Sequence, residues 1–355
     1  MKKRALAVAK YPTGLDDKVA EFENTVLLRR QQSGKPHMLG IVGLGGVGKT
    51  TLAKELFNRK SSGYTRSCFL SDVRDNAGKG SLNLLQKELL KSLTGWDKPI
   101  DNVHEGKAIL KDHISSPNIL VILDDVDKVD QVDELLPDQT LLHSDSLILI
   151  TSRSKDVLRR SGVEESSMYN LNGLPPQYSL ELFCLYSFNQ PHPLPGFESL
   201  AKKFTEACGG LPLSLKVFGA LLNGEEDASY WEAQLDKLQR ILPEEIKQRL
   251  QISYDALDRE DRQIFLDIAC FFIGEDRDRV IRICYGSGGN GLWGFRNLED
   301  KCLLEVNSAN KIRMHDQLRD LGREIADASL PRRLWRSTEK IDDLLQQSSV
   351  STESF

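Results

Sequence analysis

The stretch Gly43-Leu44-Gly45-Gly46-Val47-Gly48-Lys49-Thr50 fits the pattern GxxxxGK[ST] and decides the predicted fold. A short apolar run, Met38 to Val42, precedes it, and Thr50 to Lys60 follows with apolar residues at helical spacing. A glycine-rich loop between a strand and a helix can curl its backbone N–H groups around a phosphate. The stretch therefore predicts a domain that binds a nucleotide through its phosphates.

Three further apolar runs extend an α/β pattern along the first half of the chain. They are Cys68 to Leu70, Ile119 to Leu123 and Leu147 to Ile150, with amphipathic stretches between them. Strands that alternate with helices predict a mostly parallel sheet covered on both faces. The run Ile119 to Leu123 has no polar residue, which is typical of a central strand.

The pattern changes after about Leu174, where two prolines interrupt the chain and helical periodicity takes over. Leu303 to Val306 and Lys311 to Met314 predict a β-hairpin whose turn is Asn307 to Asn310. Helices with one hairpin predict a winged-helix unit. The expected fold is an α/β P-loop NTPase domain with a parallel sheet, followed by a helical domain and a winged-helix domain.

The order of the motifs predicts three subdomains, with boundaries near Asn172 and Arg249. They give a linker at 1–13, a nucleotide-binding P-loop domain at 14–172, a helical domain at 173–249, a winged-helix domain at 250–345 and a Ser-rich, disordered tail at 346–355.

The composition limits the classes of partner. The 355 residues are 40% hydrophobic and 28% charged, with a net charge of −5, which argues against a protein that mainly coats nucleic acid or an anionic membrane. No apolar run of 18 or more residues predicts a membrane span. The six cysteines lack a CxxC pair, which favours reduced thiols in a cytosolic protein.

The residue types in the glycine-rich loop point to specific contacts. Lys49 would reach the β- and γ-phosphates, and the Thr50 hydroxyl would bind Mg²⁺. The alternative is a turn that binds nothing, because the bare pattern arises by chance in roughly one chain of this length in a hundred. The residues expected to contact the phosphates here are Gly43, Gly45, Gly46, Val47, Gly48, Lys49, Thr50 and Thr51.

Two carboxylates, Asp124 and Asp125, come directly after the buried strand. A P-loop protein places the partner of its Mg²⁺ at the carboxyl end of a central strand beside the phosphate loop. Asp124 is therefore the candidate metal ligand together with Thr50. Asp125, together with Lys49, is the candidate catalytic residue, because it could polarise an attacking water. The alternative is a pair of solvated loop carboxylates.

Arg153 follows the strand Leu147 to Ile150. An arginine at that strand end could bind the γ-phosphate, because a planar guanidinium binds phosphate oxygens in two places. The alternative is a lone surface arginine, and the pattern alone does not separate the two.

The order of seven motifs resembles the NB-ARC module of plant intracellular immune receptors of the nucleotide-binding, leucine-rich-repeat type. The resemblance runs from about Tyr11 to about Trp335. Asp127 and one of the motifs resemble the subclass that carries an N-terminal TIR domain. The motifs are Gly43 to Thr51, Phe69 to Arg74, Leu120 to Asp127, Ile150 to Arg153, Cys208 to Leu213, Phe265 to Phe272 (the subclass motif) and Met314 to Asp316.

The resemblance implies further nucleotide contacts. Pro212 would pack against the adenine, and the segment around Gly14 and Leu15 would help to enclose the base. His315 would approach the β-phosphate of bound ADP, and Arg153 would act as the sensor of the γ-phosphate.

Two positions depart from the family's pattern, and the flanking domains of such receptors are absent. Thr13 stands where the family usually has an apolar residue, and Ser152 replaces a common Thr. No TIR domain precedes the motifs and no leucine-rich repeat follows them, so we expect a central module without NAD-cleaving chemistry.

The preferred hypothesis is a nucleotide-operated switch with ADP in the resting state and ATP in the active state. It implies at most slow ATP hydrolysis, self-association on activation, and a cytoplasmic or also nuclear location. A turnover ATPase is the competing hypothesis, disfavoured because Asp125 is shorter than the glutamate of many efficient ATPases. DNA binding through the winged helix is the third. Overall acidity disfavours it, and Lys311 and Arg313 are more typical of a solvated face.

Overall fold

The computed structural model describes residues 5–27, 36–78, 80–113, 118–137, 142–239, 246–285 and 289–329. The predicted tail at 346–355 and the end of the resemblance at Trp335 lie outside these ranges. The chain divides into two compact units, Met1–Leu235 and Asp236–Phe355. The domain boundaries near Asn172 and Arg249 stay predictions.

A parallel sheet forms the centre of the first unit. In the described ranges it has five strands, in the order β2-β3-β4-β1-β5, and each neighbouring pair is parallel. The predicted parallel sheet is confirmed, with one short edge strand that the sequence patterns missed. The strands are β1 (His37–Val42), β2 (Arg66–Leu70), β3 (Ile119–Val126), β4 (Leu147–Ser152) and the edge strand β5 (Met168–Asn170).

The apolar content of the inner strands explains their position. All five residues from Ile119 to Leu123 are buried, because helices cover both faces of β3. Leu85, Leu89 and Leu93, predicted at helical spacing, lie on the buried side of α4. The helices of this α/β part are α1 (Leu15–Phe22), α2 (Lys49–Lys60), α3 (Val73–Gly78), α4 (Leu82–Thr94), α5 (Val103–His113), α6 (Val129–Leu135) and α7 (Lys155–Arg160).

Four more helices complete the first unit and pack around aromatic side chains. Trp231 is fully buried, and its indole Nε1 donates to the Glu225 carbonyl at 3.0 Å. The rings of Phe183 and Phe204 stack with centroids 5.6 Å apart. These helices are α8 (Pro176–Ser187), α9 (Glu198–Cys208), α10 (Pro212–Leu221) and α11 (Ala228–Gln239), within which the first unit ends.

Within the described ranges, the second unit has helices and one antiparallel hairpin, as the sequence predicts. Glu305 pairs with Arg313 in this hairpin. The helix expected over 261–272 ends at Asp267 and continues as a π-helical turn, Ile268–Phe272. The elements are α12 (Ile246–Asp255), α13 (Arg259–Asp267), α14 (Arg277–Tyr285), α15 (Gly289–Asp300), β6 (Glu305–Val306), β7 (Ile312–Arg313) and α16 (Asp316–Ser329).

Two features bear on the predictions made from composition, namely membrane-spanning helices and disulfides. Within the described ranges, no helix is both long enough and apolar enough to cross a bilayer. None of the cysteines whose side chains the structure describes forms a disulfide, and these are Cys68, Cys184, Cys208, Cys270 and Cys302.

Candidate nucleotide-binding site

The glycine-rich loop joins β1 to α2, as predicted. Gly46 has φ +76° and Gly48 has φ +104°, conformations that L side chains rarely adopt. Gly48 directly precedes the first residue of α2, Lys49. The loop therefore has the strand–turn–helix context that a phosphate-binding motif requires.

Lys49 folds back over this loop. Its side chain is only 8% exposed, and Nζ donates to the carbonyl oxygens of Gly43 and Leu44, each at 2.9 Å. Burial, followed by the positive charge of Arg153, lowers the pKa of Lys49 to about 8. A phosphate near Nζ would restore the stability of the charged form.

Asp124 forms the buried acidic part of the site. It is 1% exposed and accepts hydrogen bonds from the hydroxyls of Thr50, at 2.9 Å, and Thr151, at 2.7 Å. Burial raises the pKa of Asp124 to about 6, and the two hydroxyl donors oppose that rise. The carboxyl end of β3 thus meets the start of α2.

Thr50 and Asp124 suit a magnesium ion by their chemistry. Mg²⁺ prefers oxygen ligands and commonly takes one or two of them from the protein, with the rest from phosphates and water. Among the described residues, no group of three or more His, Cys, Asp or Glu could hold a metal ion by itself. Beside a nucleotide, Mg²⁺ needs only one or two ligands from the protein. The Thr50 hydroxyl and the buried Asp124 carboxylate could supply them.

Asp125 lies between two arginines. Its Oδ2 is 3.2 Å from Nε of Arg74, and its Oδ1 is 3.7 Å from Nε of Arg153. Its backbone has φ +57°, and its N–H donates to the Thr151 hydroxyl at 2.9 Å. The structure therefore brings Arg153 into the same charged cluster as Asp125 and Lys49.

Sequence reasoning gave no individual role to two residues of this cluster, Thr151 and Arg74, although both belong to motifs of the family resemblance. Thr151 lies at the end of β4, and Arg74 lies in the first turn of α3, just after β2. The carboxyl ends of parallel strands meet at one edge of a sheet. Polar residues that follow each predicted strand could therefore have identified Thr151 and Arg74 as candidate site residues.

Pro212 lies beside the phosphate loop at the start of α10. The backbone N–H of Leu213 donates to the Gly46 carbonyl at 3.2 Å. A Cβ added at Gly46 would stand 2.7 Å from Cβ of Leu213. The loop and the first turn of α10 are therefore in direct backbone contact.

Gly14 and Leu15 lie at the start of α1, and Gly14 packs against α8. A Cβ at Gly14, which has φ +67°, would stand 2.6 Å from the ring of Tyr178. The Tyr178 hydroxyl in turn donates to the carboxylate of Asp17. Leu15 is partly buried, and its N–H donates to the Pro12 carbonyl at 3.2 Å.

His315 belongs to the second unit, between β7 and α16. Its side chain is exposed, and Nδ1 accepts from the backbone N–H of Gln317 at 3.2 Å. Its carbonyl accepts from the N–H of Arg319 at 3.0 Å. The imidazole is thereby oriented by the first turn of α16.

Two family models match the chain. Residues 17–192 match the NB-ARC domain, and residues 258–329 match the winged-helix domain of Roq1-like disease resistance proteins. The chain contains an NB-ARC domain. The resemblance inferred from the motifs and the two predicted domain types are thus confirmed.

The relatives of this NB-ARC chain are plant disease resistance proteins. It is 37% identical over 320 residues to disease resistance protein RUN1 of Vitis rotundifolia, and 33% identical over 313 residues to TMV resistance protein N of Nicotiana glutinosa. These alignments cover 90% and 85% of this chain but only 24% and 27% of the relatives. The chain spans about a quarter of the length of the curated relatives it matches.

A solved structure supports the fold. A signal transduction ATPase with numerous domains (STAND) protein with a tetratricopeptide repeat sensor, from Pyrococcus horikoshii, superposes with a TM-score of 0.55 at 18% identity. The match covers 90% of this chain and 44% of that chain. The chain therefore shares the fold of this STAND protein, and its family matches add an NB-ARC domain and a winged-helix domain.

Proposed function

We propose that this chain is an ADP/ATP-operated switch, resting with ADP and active with ATP. The main support is that Lys49 and Asp124, a buried cation and a buried anion, meet at the phosphate loop. Burial disfavours the charged form of each, lowering the pKa of Lys49 and raising that of Asp124. A phosphate beside Lys49 and Mg²⁺ beside Asp124 would stabilise both charged forms.

The switch needs a difference in affinity between two states. Moving an equilibrium from 1:99 to 99:1 takes about 5.5 kcal/mol of differential binding. A hydrogen bond to a charged group contributes roughly 1.5–3 kcal/mol, so a γ-phosphate held by Lys49 and Arg153 could supply a large part. ATP would therefore favour a state that ADP does not.

Slow hydrolysis is part of the proposal. Both carboxylate oxygens of Asp125 face arginines, Arg74 at one and Arg153 at the other. A carboxylate engaged in this way is poorly placed to polarise water, although it remains the candidate base. This favours a long-lived ATP state over rapid turnover.

The proposal includes contacts with the adenine and with the β-phosphate of ADP. Pro212 starts α10 beside the phosphate loop and would pack against the adenine, and Gly14 with Leu15 would help to enclose it. His315 would approach the β-phosphate of ADP, as the family resemblance implies.

The wider role is proposed from the relatives, which are disease resistance proteins about four times longer than this chain. Exchange of ADP for ATP would control self-association and defence signalling by an intracellular receptor in the cytoplasm or also the nucleus. TIR and leucine-rich-repeat domains of such a receptor would be its intramolecular partners. Neither membrane nor nucleic acid is needed for this role.

The test is the nucleotide that the purified protein carries. Protein purified without added nucleotide is denatured, and the released nucleotide is identified by chromatography. We expect ADP from the wild type and much less from Lys49→Arg, because a planar fork cannot occupy a point-charge site without displacing the loop. A stably folded, nucleotide-free wild type would contradict the proposal, and a kcat of about 1–10³ s⁻¹ would favour a turnover ATPase.

A further inference from the structure

Arg74 lies at the phosphate edge of the sheet, and the proposed switch gives it no contact with the nucleotide. Its side chain is 18% exposed, and Nε lies 3.2 Å from Oδ2 of Asp125 and 3.6 Å from Oδ1 of Asp75. Its positive charge also helps to lower the pKa of Lys49. The guanidinium therefore lies close enough to Lys49 to share its electrostatic environment.

The backbone around Arg74 is held in an uncommon conformation. Asp72, at the turn from β2 into α3, has φ +53°, a value uncommon for a non-glycine residue. The Asn76 side chain donates to the carbonyls of Asp72, at 3.0 Å, and Ser71, at 3.3 Å. Such conformations persist where surrounding contacts fix them, and they cluster at ligand sites. The turn thus fixes the direction in which α3 presents Arg74.

Asp125 connects Arg74 to the predicted phosphate sensor. Its two oxygens face Nε of Arg74 and Nε of Arg153, so one carboxylate orients two guanidinium groups. A guanidinium has five N–H donors, and a contact through Nε is compatible with a phosphate oxygen on the Nη groups. The two arginines flank Asp125 next to Asp124 and the phosphate loop.

We propose that Arg74 is a second arginine that binds the terminal phosphate of a nucleoside triphosphate, and that Asp125 positions it together with Arg153. The inference rests on the proposed nucleotide switch and adds a residue that discriminates between its two ligands. With a diphosphate, Arg74 contacts Asp125 and Asp75 but has no terminal phosphate to bind. With a triphosphate, it gains a charge-assisted contact.

The first experiment compares ADP with ATPγS, in the presence of Mg²⁺, on the whole chain. We expect Arg74→Gln to lose about ten- to a hundredfold more affinity for ATPγS than for ADP. Arg66→Gln is the matched control, because Arg66 is exposed at the opposite end of the strand that leads to Arg74. Equal losses for the two nucleotides, or no loss for ATPγS, would overturn the inference.

The second experiment separates phosphate binding from simple neutralisation of Asp125. If Arg74 only neutralises Asp125, replacing it leaves a carboxylate that repels the γ-phosphate, and Asp125→Asn would abolish the effect. We expect Arg74→Gln still to weaken ATPγS binding at least about tenfold in the Asp125→Asn background. Disappearance of the effect there would refute direct binding.

Two further readouts keep the result unambiguous. Arg74→Lys keeps the positive charge but removes the planar guanidinium, and it replaces Arg74→Gln if that variant fails to fold. If Arg74→Lys has the wild-type ratio of ATPγS to ADP affinity, the result counts against the inference. A wild type that binds neither nucleotide refutes the proposed switch itself. A wild type that binds both, with no effect of Arg74, refutes only the inference.

Discussion

The Thr151 hydroxyl links the two adjacent carboxylate residues of the site. It donates to Oδ1 of Asp124 in a buried hydrogen bond and accepts from the N–H of Asp125 in a partly buried one. Thr151→Val keeps the shape but leaves these partners without the hydroxyl. We expect a loss of about 1–3 kcal/mol in the free energy of unfolding, measured by urea denaturation.

Thr151→Ser is the matched control for this change. It keeps the hydroxyl and removes one methyl group, so it should retain most of the wild-type stability and its Mg²⁺-dependent nucleotide binding. Equal stability of the Val variant and the wild type would show that the hydroxyl does not stabilise the strand ends.

Lys49 predicts a pH dependence of stability. Its pKa is about 8 in the folded chain against an ordinary 10.5, so between these values the unfolded chain binds more protons. Stability without nucleotide should therefore rise with pH across this window, by up to about 3 kcal/mol from this residue. In Lys49→Met that part of the rise disappears, and identical pH profiles for the two proteins would contradict the assignment.

Local sequence was sufficient for some site residues and not for others. Lys49 and Thr50 belong to one continuous motif, and Asp124 follows an apolar run whose composition identifies a strand. Arg74 reaches Asp125 only because β2 and β3 are neighbours, and strand order is set by contacts between distant segments. Sequence patterns could not supply that order.

At the scale of elements, the junction between the phosphate loop and α10 is the most constrained. Gly46 has positive φ, and a Cβ there would meet Leu213 at 2.7 Å. Gly46→Ala should cost more than the roughly 1–2 kcal/mol that left-handed backbone alone costs. It should also abolish nucleotide binding, because either the loop or α10 must move.

Gly224→Ala is the control for backbone strain. Gly224 has φ +80°, but a Cβ there would have nothing within 4 Å. Urea denaturation of both variants separates strain from collision. Equal destabilisation by the two substitutions would mean that contact with Leu213 does not constrain the loop.

Element types were more predictable than their details. Apolar runs identified the four longer strands, because side chains buried on both faces leave a continuous signal. β5 was not predicted, because its three residues at the sheet edge, Met168 to Asn170, are too few to show a strand pattern. The π-helical turn at Ile268–Phe272 also differs from the expected helix, and hydrophobic spacing does not separate these conformations.

At the scale of the molecule, nucleotide removal should destabilise the first unit. A ligand bound only to the folded state adds about 2.7 kcal/mol at a concentration a hundredfold above its Kd. Exhaustive dialysis with EDTA should therefore lower the unfolding temperature of Met1–Leu235, and ADP with Mg²⁺ should restore it. Calorimetry of the wild type and of Lys49→Met measures this, and only the wild type should respond.

The order of fold types along the chain was predictable because the sequence pattern changes from strand–helix alternation to helices and then to a hairpin. The limits of the compact units were not predictable from the sequence. Helices α8 to α10 fall in one unit with the sheet, and the division lies at Leu235. Contacts between distant parts of the chain, such as the hydrogen bond from Leu213 to Gly46, join these helices to the sheet in one unit. Local sequence patterns do not predict such contacts.

The hydrogen bond from Leu213 to Gly46 limits how chimeric NB-ARC proteins can be assembled. A recombinant protein joined near Asn172 would combine the phosphate loop of one parent with α10 of another, and the Leu213 N–H must still reach the Gly46 carbonyl. A crossover at the exposed turn around Gly224 keeps both partners from the same parent. Recombination there exchanges the C-terminal segments of the two parents and leaves the inherited fit of loop and helix intact.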